Sequence, residues 1–357
     1  MEAVLQGRFE VRRVEERTLV RIVSTGMVTA VGATAPASCA AIAAGIAGFV
    51  EIPATDGGGF PITGALARHA VPRKLGFPLL LGLLALTVEE ALGDARTDGI
   101  PVLAALSPPD QAGRPLGLDE AILPALAERL RMHLHGDSRV FAAGSTGALR
   151  ALAHARSLLA AGRARACLVA GVDSLTGMDC LDQLDADERL KTTGNPDGLI
   201  PGEAAACLMV AAAGARPPPD AVLIRGIGFA HEPVGIKDER PILGVGLAAA
   251  INAALADAGL TMADVDYRIA DVTGERYGMN EANYALGRTL KMRKLHFDFL
   301  HLGDCIGAIG AASGAAMLGY LKYLFDRGRS PHPGALCHCS SDTGDRAAAI
   351  VTGPMKE

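Results

Sequence analysis

Ser145 stands in the run FAAGSTGALRAL (141–152), where a strand-like stretch meets a small-residue turn and then a helical Ala-Leu period. A hydroxyl at such a junction has two uses. It attacks an acyl carbon when a neighbouring base takes its proton, or it accepts an amide hydrogen bond as a helix N-cap. The helix dipole alone contributes at most ~2 kcal/mol, roughly one to two pKa units. That helps a thiol with a pKa near ~8.5, but not a serine hydroxyl. Without a visible base in the neighbourhood, capping by Ser145 or Thr146 is the simpler reading.

Other chemistry-bearing residues are scattered. Asp271 and Thr273 lie in IADVTG, Asp304 and Cys305 in LGDCIG, and Asp342 and Gly344 in the turn SDTG. The triplet CHC (337–339) raises metal binding, but in a strand Cys337 and Cys339 face one way and His338 the other. Buried Cys is usually inert packing, which is also the plain reading of Cys305. His296 and His301 serve a site only if they turn inward. The basic run GRTLKMRKLH (287–296) fits either a docking surface for an acidic partner or a solvated helix end.

Composition narrows the class. The chain has 357 residues, half of them hydrophobic and a fifth charged, enough for a large core and not for disorder. Trp is absent and aromatics make up 4%, so stacking platforms for bases or sugars are not expected. A net charge of −5 gives no reason to expect nucleic acid or a membrane surface. The apolar run 77–88 is too short to span a bilayer, and the charged first residues show no signal core. Seven Cys without paired spacing fit a reducing cytoplasm. No cofactor or metal is expected.

These residues need an α/β frame to position them. Strands are expected at 18–28, 139–143, 165–174, 202–214, 222–230, 267–274 and 295–304, with two closing strands around the SDTG turn. Helices are expected at 35–49, 72–95, 119–134, 146–161, 244–260, 280–290 and 306–325. ARPPPDA (215–221) breaks the chain into an N-terminal half (18–214) and a C-terminal half (215–357), after a tail or edge strand at 1–17. Both halves repeat one order: a strand, a Gly turn, and a small-residue helix. AAGSTGALRAL and LGDCIGAIGAASG are the corresponding segments, and their small residues allow two central helices to pack closely.

Taken in order, these segments resemble the β-ketoacyl synthase family of the thiolase fold. VRIVSTGMVTAVG (20–32) is similar to its opening strand and Gly turn, and LLAAGRARACLVAGVDS to the helix end and strand after its nucleophile. NPDGLIPGEAAACLMVA resembles its Asp-Gly…Gly-Glu segment. LTMADVDYRIADVTGERYGMNE resembles the Asp-Val…His-Gly-Thr segment, and LGDCIGAIGAASG the Gly-His…Gly-Ala-Ala-Gly segment. The likeness runs over about 18–353. It implies a five-layered α-β-α-β-α fold built from two similar halves, and a dimer through RVFAA (139–143).

Family enzymes use a Cys nucleophile and two His that donate to the enolate formed when a malonyl extender loses carbon dioxide. The resemblance puts Ser145 at the Cys position, with Gly144 as the alternative register. It puts Asp271 and Asp304 at the two His positions, and Phe299 where the family has a lysine. Asp342 falls near the gating Phe, and Gly144, Thr146, Thr273, Cys305, Asp342 and Gly344 surround the pocket. Glu203 matches a buried structural acid. An ionised carboxylate only accepts hydrogen bonds, and losing one oxyanion donor already costs ~3–4 kcal/mol. The resemblance therefore implies a ketosynthase-like protein without condensing activity. It would act as a binding, partner or scaffold protein, in the manner of a chain-length-factor subunit or a secretion-cluster adaptor. Its expected partners are a second copy, a ketosynthase-like subunit or an acyl carrier protein. The alternative is an acyltransferase or thioesterase using Ser145, with Asp271 or Asp304 as the missing base or, if protonated in an apolar pocket, as a donor.

Overall fold

Among the described residues ten strands form one hydrogen-bonded sheet. The computed structural model describes residues 18–72, 74–95 and 99–354; the segment 1–17 lies outside them. In chain order the elements are β1 (Val20–Val28), α1 (Ala35–Ala43), β2 (Phe49–Thr55), β3 (Pro61–Ala65), α2 (Gly76–Leu92), β4 (Val102–Leu106), α3 (Leu118–Leu130), β5 (Arg139–Ala142), α4 (Gly147–Ala160), β6 (Ala166–Ser174), α5 (Met178–Ala186), β7 (Glu203–Ala212), β8 (Val222–His231), α6 (Val245–Ala258), β9 (Tyr267–Ala270), α7 (Arg276–Thr289), β10 (Asp298–His301), α8 (Gly303–Ile306), α9 (Ser313–Asp326), β11 (Gly334–Ser340) and β12 (Asp345–Thr352).

The sheet order, β10-β9-β11-β12-β8-β1-β7-β6-β4-β5, contains the same five-strand pattern twice, β5-β4-β6-β7-β1 and β10-β9-β11-β12-β8. In each, the first three strands are parallel, the fourth runs opposite to them, and the fifth is antiparallel to the fourth. The two patterns meet where Val20–Ile22 of β1 pairs with Val222–Ile224 of β8. Helices α2 and α3 cover one face of the first pattern, and α6 and α7 cover the second. Between them lie α4, packed on β4, β6 and also β12, and α9, packed on β6, β7 and β11. The layers thus run helix, sheet, helix, sheet, helix.

Small residues make the central layer possible. Ala148, Ala151, Ala155, Ala312, Ala315 and Ala316 are all buried between the sheets. Gly171 on β6 is a forced glycine: a Cβ there would overlap the Ala311 carbonyl oxygen ahead of α9.

Several boundaries differ from expectation, each for a local reason. The helix expected at 306–325 begins only at Ser313, because Gly307 and Gly310 take positive φ and break it into α8, a 3₁₀ turn at Gly310–Ala312 and α9. The helix expected at 35–49 stops at Ala43, before the positive-φ Gly45, and Phe49 opens a hairpin strand. The long helix starts at Gly76 rather than 72 and is closed by Gly93, as the sequence indicates. The helix expected at 119–134 ends at Leu130, where Arg131 adopts a left-handed conformation.

Candidate active-site cavity

The turn before α4 creates the opening of the site. Gly144 takes φ +54, which only glycine adopts at no steric cost, and starts the 3₁₀ turn Gly144–Thr146. This turn presents Ser145 to a cavity of about 150 Å³. Neither hydroxyl caps α4, contrary to the simpler sequence reading. The Thr146 hydroxyl instead donates to the Ala143 carbonyl at 3.0 Å, and Thr146 is buried behind the wall rather than lining the cavity. Ser145 faces the same cavity as Asp271 and lowers the pKa of that carboxyl.

Asp271 follows the last residue of β9. Its carboxylate accepts the Ser340 backbone N–H at 3.0 and 3.2 Å. Burial pushes its pKa up to about 7; the nearby Glu281 carboxylate adds to the rise, while the Ser340 N–H, Arg346 and Ser145 oppose it. Behind it runs a buried polar chain. The Ser340 hydroxyl donates to Glu281 Oε2 at 2.7 Å, and Arg346 Nε donates to Glu281 Oε1 at 2.5 Å. Arg346 Nη2 reaches the Tyr277 hydroxyl at 2.9 Å, which donates to the Val234 carbonyl. Desolvation would be costly for either ion of the Glu281–Arg346 pair alone, and both side chains are 1% exposed.

The expected site residues separate into two groups. Gly144, Ser145, Asp271, Thr273 and Asp342 line the cavity. Asp304, Cys305, Thr146 and Gly344 do not. Asp304 is the main correction: its side chain is 84% exposed and sits 3.5 Å from His301 Nε2. Gly303 and Gly307, four residues apart and so on one face, form the wall there, while Asp304 falls on another face of the turn. It does not cap α9 either, which starts nine residues later. Cys305 is buried toward α1, with its thiol 4.0 Å from the Ile42 carbonyl. Gly344, at φ +90, is buried beneath the His231 ring and shapes the closing turn from behind. His301 is held by Asp304 and His296 is exposed, so neither turns into the cavity.

Asp342 does not form an empty acidic pocket with Asp271. Arg189 takes it, with Nη1 to Oδ2 at 2.7 Å. The same guanidinium grips Glu275 at 2.7 and 3.0 Å. Arg189, Asp342, Gln111, Leu175 and Ile236 line both this cavity and a larger outer vestibule of about 830 Å³. The Arg189 cluster therefore stands between the two. Arg189, Glu275, Tyr277, Ser340, Arg346 and the cavity-facing side of His338 were not singled out by the sequence. Arg189 and Asp342 lie 153 positions apart, which no local pattern connects.

Glu203 is fully buried and structural, accepting from Ala67 N, Arg68 and the Thr176 hydroxyl. Cys337 and Cys339 face the central core. Among the described residues no His/Cys/Asp/Glu group has a metal-holding arrangement, and no helix is long and apolar enough to cross a membrane.

No protein-family model matches the sequence, and no curated protein matches it significantly. Solved structures do. A type II polyketide ketosynthase in complex with its acyl-carrier protein is 15% identical, over 95% of this chain and all of that one, with TM-score 0.77. A Xenorhabdus doucetiae ketosynthase in complex with its chain length factor is 17% identical, over 94% and 98% of the two chains, with TM-score 0.70. A β-ketoacyl synthase from Burkholderia phymatum is 18% identical, over 94% and 99%, with TM-score 0.72. The fold is the thiolase-like ketosynthase fold, and the resemblance read from the sequence holds at that level.

Proposed function

We propose that this chain is a ketosynthase-like protein that has lost decarboxylative condensation and works by binding, paired with a second copy or with a ketosynthase-like subunit. The observation that carries this reading is the partly buried Asp271 carboxylate in the cavity. The family reaction needs donors toward a developing enolate, and a carboxylate with raised pKa supplies a donor only while protonated. No cysteine is among the described residues lining that cavity. Solved structures of this fold that contain a ketosynthase with its chain length factor support the partner role, and β5 at the sheet edge carries the expected dimer segment.

The placement of Ser145 beside Asp271 in one cavity favours one second reading, acyl transfer or thioester hydrolysis. Asp271 would take the hydroxyl proton, Ser145 Oγ would bond to the thioester carbonyl carbon, and the thiol would leave with that proton.

Incubation with acyl and malonyl thioesters followed by intact-mass measurement separates the two. The binding reading predicts no adduct and no turnover across chain lengths. A stable acyl adduct that disappears in Ser145→Ala overturns it. Co-purification tests the partner: a clean homodimer argues against an obligate heterodimer.

A further inference from the structure

We propose that the outer vestibule is a docking groove for a basic linear segment of a partner protein, one that carries lysine or arginine side chains beside an apolar one. The proposal deepens the reading above that the chain works by binding a partner, and rests on it.

The vestibule holds about 830 Å³, within the range of roughly 300–1,000 Å³ typical of binding clefts. Its walls come from both halves of the fold: the β4–α3 loop and α5 on one side, the β8–α6 and β11–β12 loops on the other. Leu175, Leu184 and Ile236 supply apolar surface to it, and Arg189 with its two carboxylates stands at the inner end. An apolar centre inside a polar, wet rim is the anatomy of a protein–protein contact.

Charge selects the occupant. Five carboxylates, those of Asp110, Asp187, Asp238, Glu239 and Asp342, line the groove against three cations. Each cation is already committed. Lys237 Nζ lies 2.6 Å from Asp187 and Arg240 Nη2 lies 2.5 Å from Asp238. Arg189 holds Asp342 at 2.7 Å and Glu275 as well. Asp110 and Glu239 are exposed, one from each half, and among the described residues neither has a hydrogen-bond or ionic partner. The groove thus presents two uncompensated acids and no uncompensated cation. An acidic guest meets like charge there, whereas a basic one meets complementary charge, and such complementarity decides which partner is admitted.

The apolar lining adds a second requirement. An extended segment turns successive side chains to opposite sides. Alternating basic and apolar residues therefore satisfy the acids and the apolar surface together.

The test is fluorescence anisotropy of labelled, end-blocked peptides titrated with the full chain. Lys-Leu-Lys-Leu-Lys is compared with Glu-Leu-Glu-Leu-Glu and with Lys-Gly-Lys-Gly-Lys. The first is expected to bind more tightly than either of the others by about tenfold. The double variant Asp110→Asn with Glu239→Gln changes two exposed, unpaired acids. It should weaken binding of the first peptide about fivefold, the loss of two exposed charge contacts. Ile236→Ser should weaken it as well. Glu120→Gln alters an exposed acid of α3 outside the groove and should leave the affinity unchanged, which separates the groove from attraction by the net charge of −5. The proposal is overturned if the acidic or the glycine-spaced peptide binds as well as the first, if the double variant binds as wild type does, or if Glu120→Gln weakens binding equally. It is also overturned if spermidine displaces the first peptide at matched concentration, because the groove then takes a small polyamine. If the peptides fail while the wild type releases no carbon dioxide from a malonyl thioester, only the groove assignment falls; if carbon dioxide is released, the underlying reading falls too.

Discussion

Ser145, in the turn before α4, and Asp271, just after β9, face one cavity from the two halves of the fold, and Ser145 lowers the Asp271 pKa. Ser145 does not cap α4.

Asp271 gives the protein a specific dependence on pH. Its folded pKa of about 7 lies above the ordinary aspartate value of 3.8, so the folded state holds this proton more tightly than the unfolded chain. The contribution is fully present below about pH 4 and is lost as pH rises to about 7, amounting to a few kcal/mol. Asp271→Asn should flatten that part of the curve and be more stable than wild type at pH 8. Urea unfolding across pH 4–8 checks it; parallel curves for the two proteins would refute it.

The Glu281–Arg346 pair should show the cost of leaving one buried ion alone. Arg346→Met should lower stability by about 3–5 kcal/mol. The double variant Glu281→Met with Arg346→Met should recover much of the loss, because no unpaired charge remains. Chemical denaturation of the four proteins in a double-mutant cycle measures both values.

Arg189 holds two carboxylates of different exposure. The Asp342 side chain is 63% exposed and that of Glu275 is 13% exposed. Asp342→Asn should therefore cost at most about 1 kcal/mol. Arg189→Ala, which strands the more buried Glu275, should cost several times more. Thermal melts at fixed pH and salt would rank them, and equal effects would contradict the geometry.

All seven cysteines are buried. Burial raises the Cys39, Cys167 and Cys180 thiols to about 12. A thiol reagent at pH 8 should thus leave the native protein almost unlabelled and react fully after unfolding in denaturant. One cysteine labelled rapidly in the native state would point to a reactive thiol.

Much of the frame was legible because its signals are local. Gly162 and Gly93 end their helices, and the apolar run at 166–174 forms a strand. β4, the run VLAAL, carries no period that separates strand from helix, and the β2–β3 hairpin and α5 carry equally weak patterns. At the site, Ser145 and Asp271 were legible from their segments, whereas Asp304 was misplaced because it lies on another face of the α8 turn from the cavity-lining Gly303 and Gly307. The Arg189–Glu275–Asp342 cluster and the Ser340–Glu281–Arg346 chain join residues far apart in sequence, so only the folded chain reveals them.

Release of carbon dioxide from a malonyl thioester by the purified wild-type protein tests the central claim most directly. With Asp271 in the cavity and no cysteine among the residues described there, release should stay at the background of the protein-free reaction between pH 6 and 8. Release well above that background, abolished by substitution of Ser145 or Asp271, would contradict the loss of condensing chemistry.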